Sequence, residues 1–219
     1  MLIGYHCEGN DALVLHPLVC RLLGLSEDSA TLATHSEADL NNDQALKVAG
    51  EAIRNLTRRG AALVIVVLDN DGRPGPQTED AQHPRHWSHV RSGEQVKPGC
   101  RLCDLICATR GAAGAAPGKP VVIGVAVEAI EAWLLVARGI RERHDDLLHA
   151  EDWDAGRSLK KRFYGAQRAS PGRIERHALP LIRKLDDVRD IAVRSKSFAL
   201  FLEQFETAAE LLRAAGLVP

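Results

Sequence analysis

The chain lacks any apolar run near the roughly 20 residues needed to span a bilayer, so no membrane-spanning helix is expected. It lacks an excess of either charge: 28 Lys and Arg face 29 Asp and Glu, a formal net charge of -1. That balance gives no global pull toward nucleic acid or an anionic membrane, which excludes a small basic DNA-coating protein. It does not exclude an enzyme with a local basic face. There is no even cysteine framework either. Cys7, Cys20, Cys100, Cys103 and Cys107 read as reduced thiols of a cytoplasmic protein. The N-terminus opens directly as a strand, without a basic region or cleavage site, so no signal peptide is expected. What remains is ordinary for a globular chain, with 219 residues, 45% hydrophobic and 26% charged.

Within that bland composition, strands and helices alternate. Residues 2–7 form a short buried strand, and Asn10 is placed to cap the helix that follows, with Asp11 near its positive end. Leu13, Leu15, Leu18, Val19, Leu22 and Leu23 give that helix an apolar face, stopped by Gly24. A weaker strand is expected over 29–34, then a helix from about Asp39 to Arg59 closed by Gly60. The run 61–68 is the clearest strand, continuous and rich in β-branched residues. Residues 72–98 read as a long loop, 100–110 as a helix and 111–120 as a flexible connection. A strand over Val121 to Val127 leads into a helix from Glu128 to Arg138, ended by Gly139. This alternation predicts a parallel α/β sheet over 1–139. Residues 140–219 are charged, helical in pattern and poor in strands, a helical appendage packed on the sheet. Leu179, Leu181, Ile182 and Leu185 mark one of its helices; Phe198, Phe201, Leu202, Phe205, Ala209 and Leu212 mark the last, capped by Ser195 or Ser197 and ended near Gly216.

Acidic residues punctuate the strand ends. Glu8-Gly9 follows the first strand, and Asp69-Asn70-Asp71-Gly72 follows the strand 61–68. Ligands of open α/β sheets sit at such carboxyl ends. Asp69 and Asp71, two apart, share one side of an extended backbone. Carboxylates gathered there repel one another at neutral pH, so their natural partner is a hard divalent cation, Mg²⁺ or Mn²⁺. A metal so held orients a water and stabilises in-line phosphoryl displacement. The bland reading is that Glu8 closes a turn and Asp69 to Asp71 open a loop. Glu128 and Glu131, at i and i+3, share a face at the start of the next helix, where the helix dipole also favours acidic residues.

With these motifs the chain resembles the toprim fold of topoisomerases, primases and overcoming-lysogenization-defect nucleases: a strand ending in Glu-Gly, a helix, and a later strand ending in Asp-x-Asp. More closely it resembles small toprim-like proteins of bacterial defence loci. Those continue with a Glu-x-Trp-Leu-Leu helix and a Ser-x-Ser-Phe-x-x-Phe segment, matched here by Glu131-Ala132-Trp133-Leu134-Leu135 and Ser195-Lys196-Ser197-Phe198-Ala199-Leu200-Phe201. The resemblance implies a toprim-like, mostly parallel sheet flanked by helices, and a metal-dependent nuclease of an anti-phage defence system acting with an ATPase partner. It makes Glu8 the general acid/base or a metal ligand, Asp69 and Asp71 metal ligands, and Glu131 a further carboxylate. The toprim pattern places a second acid four positions after the glutamate; that position is Ala12 here, and Asp11 stands one residue early.

Local basic residues accompany this pattern. Lys160, Lys161, Arg162 and Arg168 cluster with Phe163 and Tyr164, suited to gripping a phosphate backbone while a ring stacks on a base. Lys160 or Lys161 is also placed to reach the metal site and stabilise transition-state charge. A solvated helix face is the plain alternative. His83, His86 and His89 with Cys100 and Cys103 raise a zinc reading, although 100, 103 and 107 also lie on one face of a helix. Gly114 to Pro120 fails as a phosphate loop, since no Ser or Thr follows Lys119 and a strand comes next. Two other readings stay open. A haloacid-dehalogenase-like phosphatase also uses Asp-x-Asp after a strand, with the first Asp as nucleophile. A non-catalytic assembly subunit would keep the toprim shape for docking. DNA or RNA as substrate, and a homo-oligomer, are left open too.

Overall fold

The computed structural model describes residues 1–35, 42–69, 101–114, 119–126, 130–152, 159–167 and 169–219. The strands are β1 (Leu2–Cys7), β2 (Thr31–Thr34), β3 (Leu63–Asp69) and β4 (Val121–Ala126). They form one sheet in the order β2-β1-β3-β4, with all three pairings parallel. Helices α1 (Ala12–Leu22), α2 (Asn42–Arg58), α3 (Arg101–Gly114) and α4 (Ile130–Glu142) connect and flank them. This is the α/β architecture expected from the sequence, consistent with a toprim-like arrangement. Among the described residues no helix is long and apolar enough to cross a membrane.

Alternation along each strand divides the interior. Ile3, Tyr5, Cys7, Leu63, Ile65 and Val67 face α1 and α4, while Val64, Val66 and Leu68 face α2 with Ala45, Ala49, Ile53 and Leu56. After α4 come a 3₁₀ segment (Asp145–Asp152), α5 (Leu159–Tyr164), a helical run over 171–184 that winds as a π-helix at Ile174–Ala178, α6 (Asp190–Arg194) and α7 (Lys196–Ala214). Phe198, Phe201 and Phe205 of α7 share one buried cluster with β4 and α4. Gln204 lends its side-chain oxygen to the backbone N–H of Ile123 at 3.4 Å, covering a donor on the sheet's edge strand.

Several local expectations are corrected. Asn10 does not cap α1: the N-cap is Asp11, without a side-chain cap bond, and Asn10 Nδ2 donates to the Ala169 carbonyl at 3.2 Å. Leu13 faces outward, 37% exposed. Residues 111–114 prolong α3 rather than joining the connection, because this alanine- and glycine-rich stretch lays Ala112 into the core under α2. Gly139 does not end α4, which runs on to Glu142. It is a contact point instead: a Cβ there would lie 2.9 Å from Leu147 Cβ. The cap of α7 is as expected one of the two serines, Ser195, whose Oγ accepts from the Phe198 N–H at 3.0 Å. The loop 72–98, with His83, His86 and His89, and Asp71, Cys100, Glu128 and Arg168 lie outside the described residues, as does the Cys103 side chain.

A buried carboxylate cluster at the sheet's switch point

The strand order makes a switch point between β1 and β3. The chain leaves β1 toward β2 on one side, then crosses to β3 on the other. Open α/β sheets leave a crevice at the carboxyl ends of such a strand pair. Cys7 pairs with Val67, so Glu8, one residue past β1, and Asp69, the last residue of β3, stand on the same rim. Beyond Glu8 the chain turns at Gly9, whose φ of +50° suits glycine, and the Asp11 N–H donates to the Glu8 carbonyl at 3.1 Å. This tight return carries the Asp11 side chain back into the crevice.

The third contribution is the start of α4. The Ile130 N–H donates to Asp69 Oδ1 at 2.9 Å, fastening the first turn of α4 to the end of β3 and bringing in Glu131. Two residues on, Trp133 Nε1 donates to Ser197 Oγ at 2.6 Å, and its ring meets Phe198 edge-on at 5.1 Å and Phe201 at 5.5 Å. The two motifs carried by α4 and α7 therefore join each other, and that junction sets the depth and rotation of α4 and so of Glu131. The fourth contribution is α5, whose Lys160 Nζ lies 3.7 Å from Asp69 Oδ2.

Asp11, Asp69 and Glu131 are 6%, 1% and 0% exposed. Burial, then Asp69 and Glu131, push the Asp11 carboxyl well above the usual carboxylate range, with Lys160 opposing. Burial raises Glu131 to about 7 against the pull of Lys160 and its own backbone N–H, and Glu8 adds to the rise. Its two carboxyl oxygens are buried and neither makes a hydrogen bond of ordinary geometry. Burial works against the charge of Lys160, but Asp69, Glu131, Asp11 and Glu8 together outweigh it and hold the ammonium more firmly protonated than usual. Cys7, beneath the cluster, is driven up by burial and by Asp11 and Asp69, and stays a thiol.

The structure thus brings together Glu8, Asp69, Glu131 and Lys160, and adds Asp11. Only its place one residue early in the motif pointed to Asp11 in the sequence. Lys161 and Arg162 are exposed on α5. Phe163 and Tyr164 are each 2% exposed and do not offer a ring to a base, because they pack against each other and Phe163 lies under the Arg138 guanidinium at 4.2 Å. Cys107, the described member of the zinc reading's helix, is exposed.

The donor set fits Mg²⁺ or Mn²⁺. It offers carboxylate oxygens alone, the Glu131 pair is buried with no hydrogen bond of ordinary geometry, and the surplus negative charge is answered by a single lysine among these groups. The fit is one of chemistry rather than of a ready shell: among the described residues no three His, Cys, Asp or Glu side chains are arranged to hold a metal ion. No family model matches the chain, and comparison with curated proteins and with solved structures finds no match either.

Proposed function

We propose that the chain is a metal-dependent phosphodiesterase that hydrolyses DNA or RNA, a toprim-like nuclease. The observation that carries this reading is the convergence of Glu8, Asp11, Asp69 and Glu131 on Lys160 at the switch point of a parallel sheet. Burying so many like charges is costly unless a cation is the intended partner. Glu8, Asp69 and Glu131 would hold Mg²⁺ or Mn²⁺, with Asp11 beside them and Asp71 as expected from the sequence. The bound ion supplies charge neutralisation and an acidified water.

The chain's own groups do the rest. A water oxygen bonds to phosphorus, the bond to the leaving nucleoside oxygen breaks, and that oxygen takes a proton from solvent. The proton lost by the water passes to a carboxylate of the cluster, the general acid/base role that the resemblance gives to Glu8. Lys160, kept charged, steadies negative charge growing on the phosphoryl oxygens. Lys161 and Arg162, exposed on the same helix, and Arg168 grip the phosphate backbone. By its resemblance the chain works in the bacterial cytoplasm, in anti-phage defence, beside an ATPase partner.

Nicking of supercoiled plasmid and cleavage of single-stranded RNA with Mn²⁺ test the reading. Glu8→Ala and Asp69→Ala are expected to abolish cleavage while the far-UV spectrum is retained; undiminished cleavage by both would refute the assignment. The phosphatase alternative needs Asp69 to attack phosphorus, yet this side chain is 1% exposed with Oδ1 already holding α4. Trapping a phospho-aspartate at 69 would favour that alternative. A chain that binds no Mn²⁺ and cuts nothing, alone or with its partner, would favour the assembly subunit.

A further inference from the structure

The chain has two tyrosines, and the fold provides for them differently. The Tyr5 hydroxyl pairs with His16 Nδ1 at 3.1 Å. Tyr164 is 2% exposed, and its hydroxyl has no hydrogen-bond partner among the described residues. Nor is the ring free to swing out for one. It meets Phe163 edge-on at 4.8 Å and His177 at 6.3 Å, and its backbone carbonyl accepts from Arg173 Nη1 at 3.0 Å. Native interiors satisfy nearly all buried hydroxyls, so an orphan held this rigidly points to a ligand.

The surroundings say which ligand. Tyr164 stands one turn past Lys160 on α5, on the face from which Lys160 Nζ comes within 3.7 Å of Asp69 Oδ2, so its buried hydroxyl lies on the side of the carboxylate cluster. Burial, then Glu131, Asp11 and Asp69, push that hydroxyl far above the ordinary phenol range, and it remains a donor. Both Glu131 oxygens are likewise buried with no hydrogen bond of ordinary geometry. A bare cation would satisfy Glu131 and leave the phenol O–H unanswered. A water satisfies both, accepting from the phenol and donating to the carboxylate.

We propose that Tyr164 is a positioning residue: its hydroxyl donates a hydrogen bond to a water held at the carboxylate cluster, and Glu131 accepts from the same water, which fixes its orientation toward phosphorus. This rests on the hydrolytic reading above and adds to it a residue that belongs to no acidic motif. It also explains why a tyrosine inside a basic helix turns inward beside Lys160 while Lys161 and Arg162 face solvent.

Two tyrosines make the test direct. Protein labelled with 3-fluorotyrosine gives two ¹⁹F resonances, assigned with Tyr164→Phe. Saturating Mg²⁺ is expected to move the Tyr164 resonance and leave that of Tyr5 in place; a Tyr164 resonance indifferent to Mg²⁺ overturns the proposal. In cleavage assays Tyr164→Phe is expected to lower kcat tenfold or more with KM within twofold. Its Tm should be equal to or above that of the parent, because the deleted hydroxyl had no internal acceptor. An unchanged kcat, or a Tm lowered by several degrees as for a structural hydrogen bond, overturns it equally. Should the parent cut neither DNA nor RNA while the Tyr164 resonance still answers Mg²⁺, the hydrolytic reading fails and the hydroxyl's role as donor to bound water stands.

Discussion

The two faces of the sheet bury very different things. Under α2 and α3 the interior is hydrocarbon: Ala45, Ala49, Ile53, Leu56, Leu105 and Ala112 against Val64, Val66 and Leu68. Its buried histidine, His6, donates through Nε2 to the Ala45 carbonyl at 2.7 Å, and burial lowers its pKa so that it stays neutral. On the opposite face, at the carboxyl rim, Asp69 and Glu131 are buried as deeply as the alanines opposite and Asp11 nearly so, with Lys160 and Tyr164 beside them. Hydrocarbon burial stabilises by about 25 cal/mol per Å², whereas burying charge costs free energy that pairing only partly offsets. One face is therefore built for stability and the other retains groups that stability alone would not select. Depth does not distinguish the two; what is placed at that depth does.

Substitutions on the two faces should separate activity from stability. The largest effect is expected from Asp69→Asn, which keeps an oxygen for the Ile130 N–H and removes the charge. Cleavage should fall by about 10³-fold or more, while relief of repulsion leaves the thermal midpoint unchanged or higher. A variant that unfolds instead would make Asp69 a structural acid and erase the contrast.

Next comes the response to pH and Mg²⁺. Glu131 is raised from 4.5 to about 7, and Asp11 in the same direction, so the folded metal-free protein holds protons that the unfolded chain has released. Stability without metal should therefore fall as pH rises from about 4.5 to about 7. Lys160 keeps its charge throughout that range and adds no slope there. Mg²⁺ at a hundred times its Kd should restore about 2.7 kcal/mol once the carboxylates are ionised, and less at pH 5. Melting curves with EDTA and with Mg²⁺ across this range measure both; a midpoint that climbs with pH in EDTA contradicts the sign.

The neutral face should respond in the opposite sense. Gly50 on α2 lies so close to α3 that a Cβ would come 2.6 Å from the Ala108 carbonyl oxygen. Gly50→Ala should cost about 1–3 kcal/mol in urea unfolding despite the better helix propensity of alanine. The kcat of the folded fraction should be untouched. The smallest effect is expected for Ser197→Ala, which strips Trp133 Nε1 of its acceptor and should cost about 1–2 kcal/mol. A neutral result there would mean that the aromatic packing, not the hydrogen bond, holds α4 in register.

Much of this was legible in the chain because strands buried on both faces leave a plain signature. The runs 2–7 and 61–68 are continuous and apolar, and an acid at the end of such a run stands out. Glu131 was legible for a similar reason, lying just past β4 at a helix start. Helix ends were less so. Gly139 reads as a stop, yet its lack of a side chain serves the approach of Leu147 and Leu148, contacts that no local pattern announces. Asp11 was half visible, as an acid displaced by one from the position the resemblance names. Tyr164 was misread as a surface ring, because a six-residue helix carrying three basic residues looks solvated from its composition.

The order of apolar runs and acids along the chain was enough to specify a parallel α/β sheet and to mark Glu8 and Asp69 as its rim, because both follow from local periodicity. Which distant groups share that rim was decided only by folding. The crossover from β2 to β3, the Asp69 tie to α4 and the docking of α5 bring Asp11, Glu131, Lys160 and Tyr164 to one place. Their pKa shifts belong to that assembly, because burial and the fields of neighbouring charges exist only once the chain has closed around them.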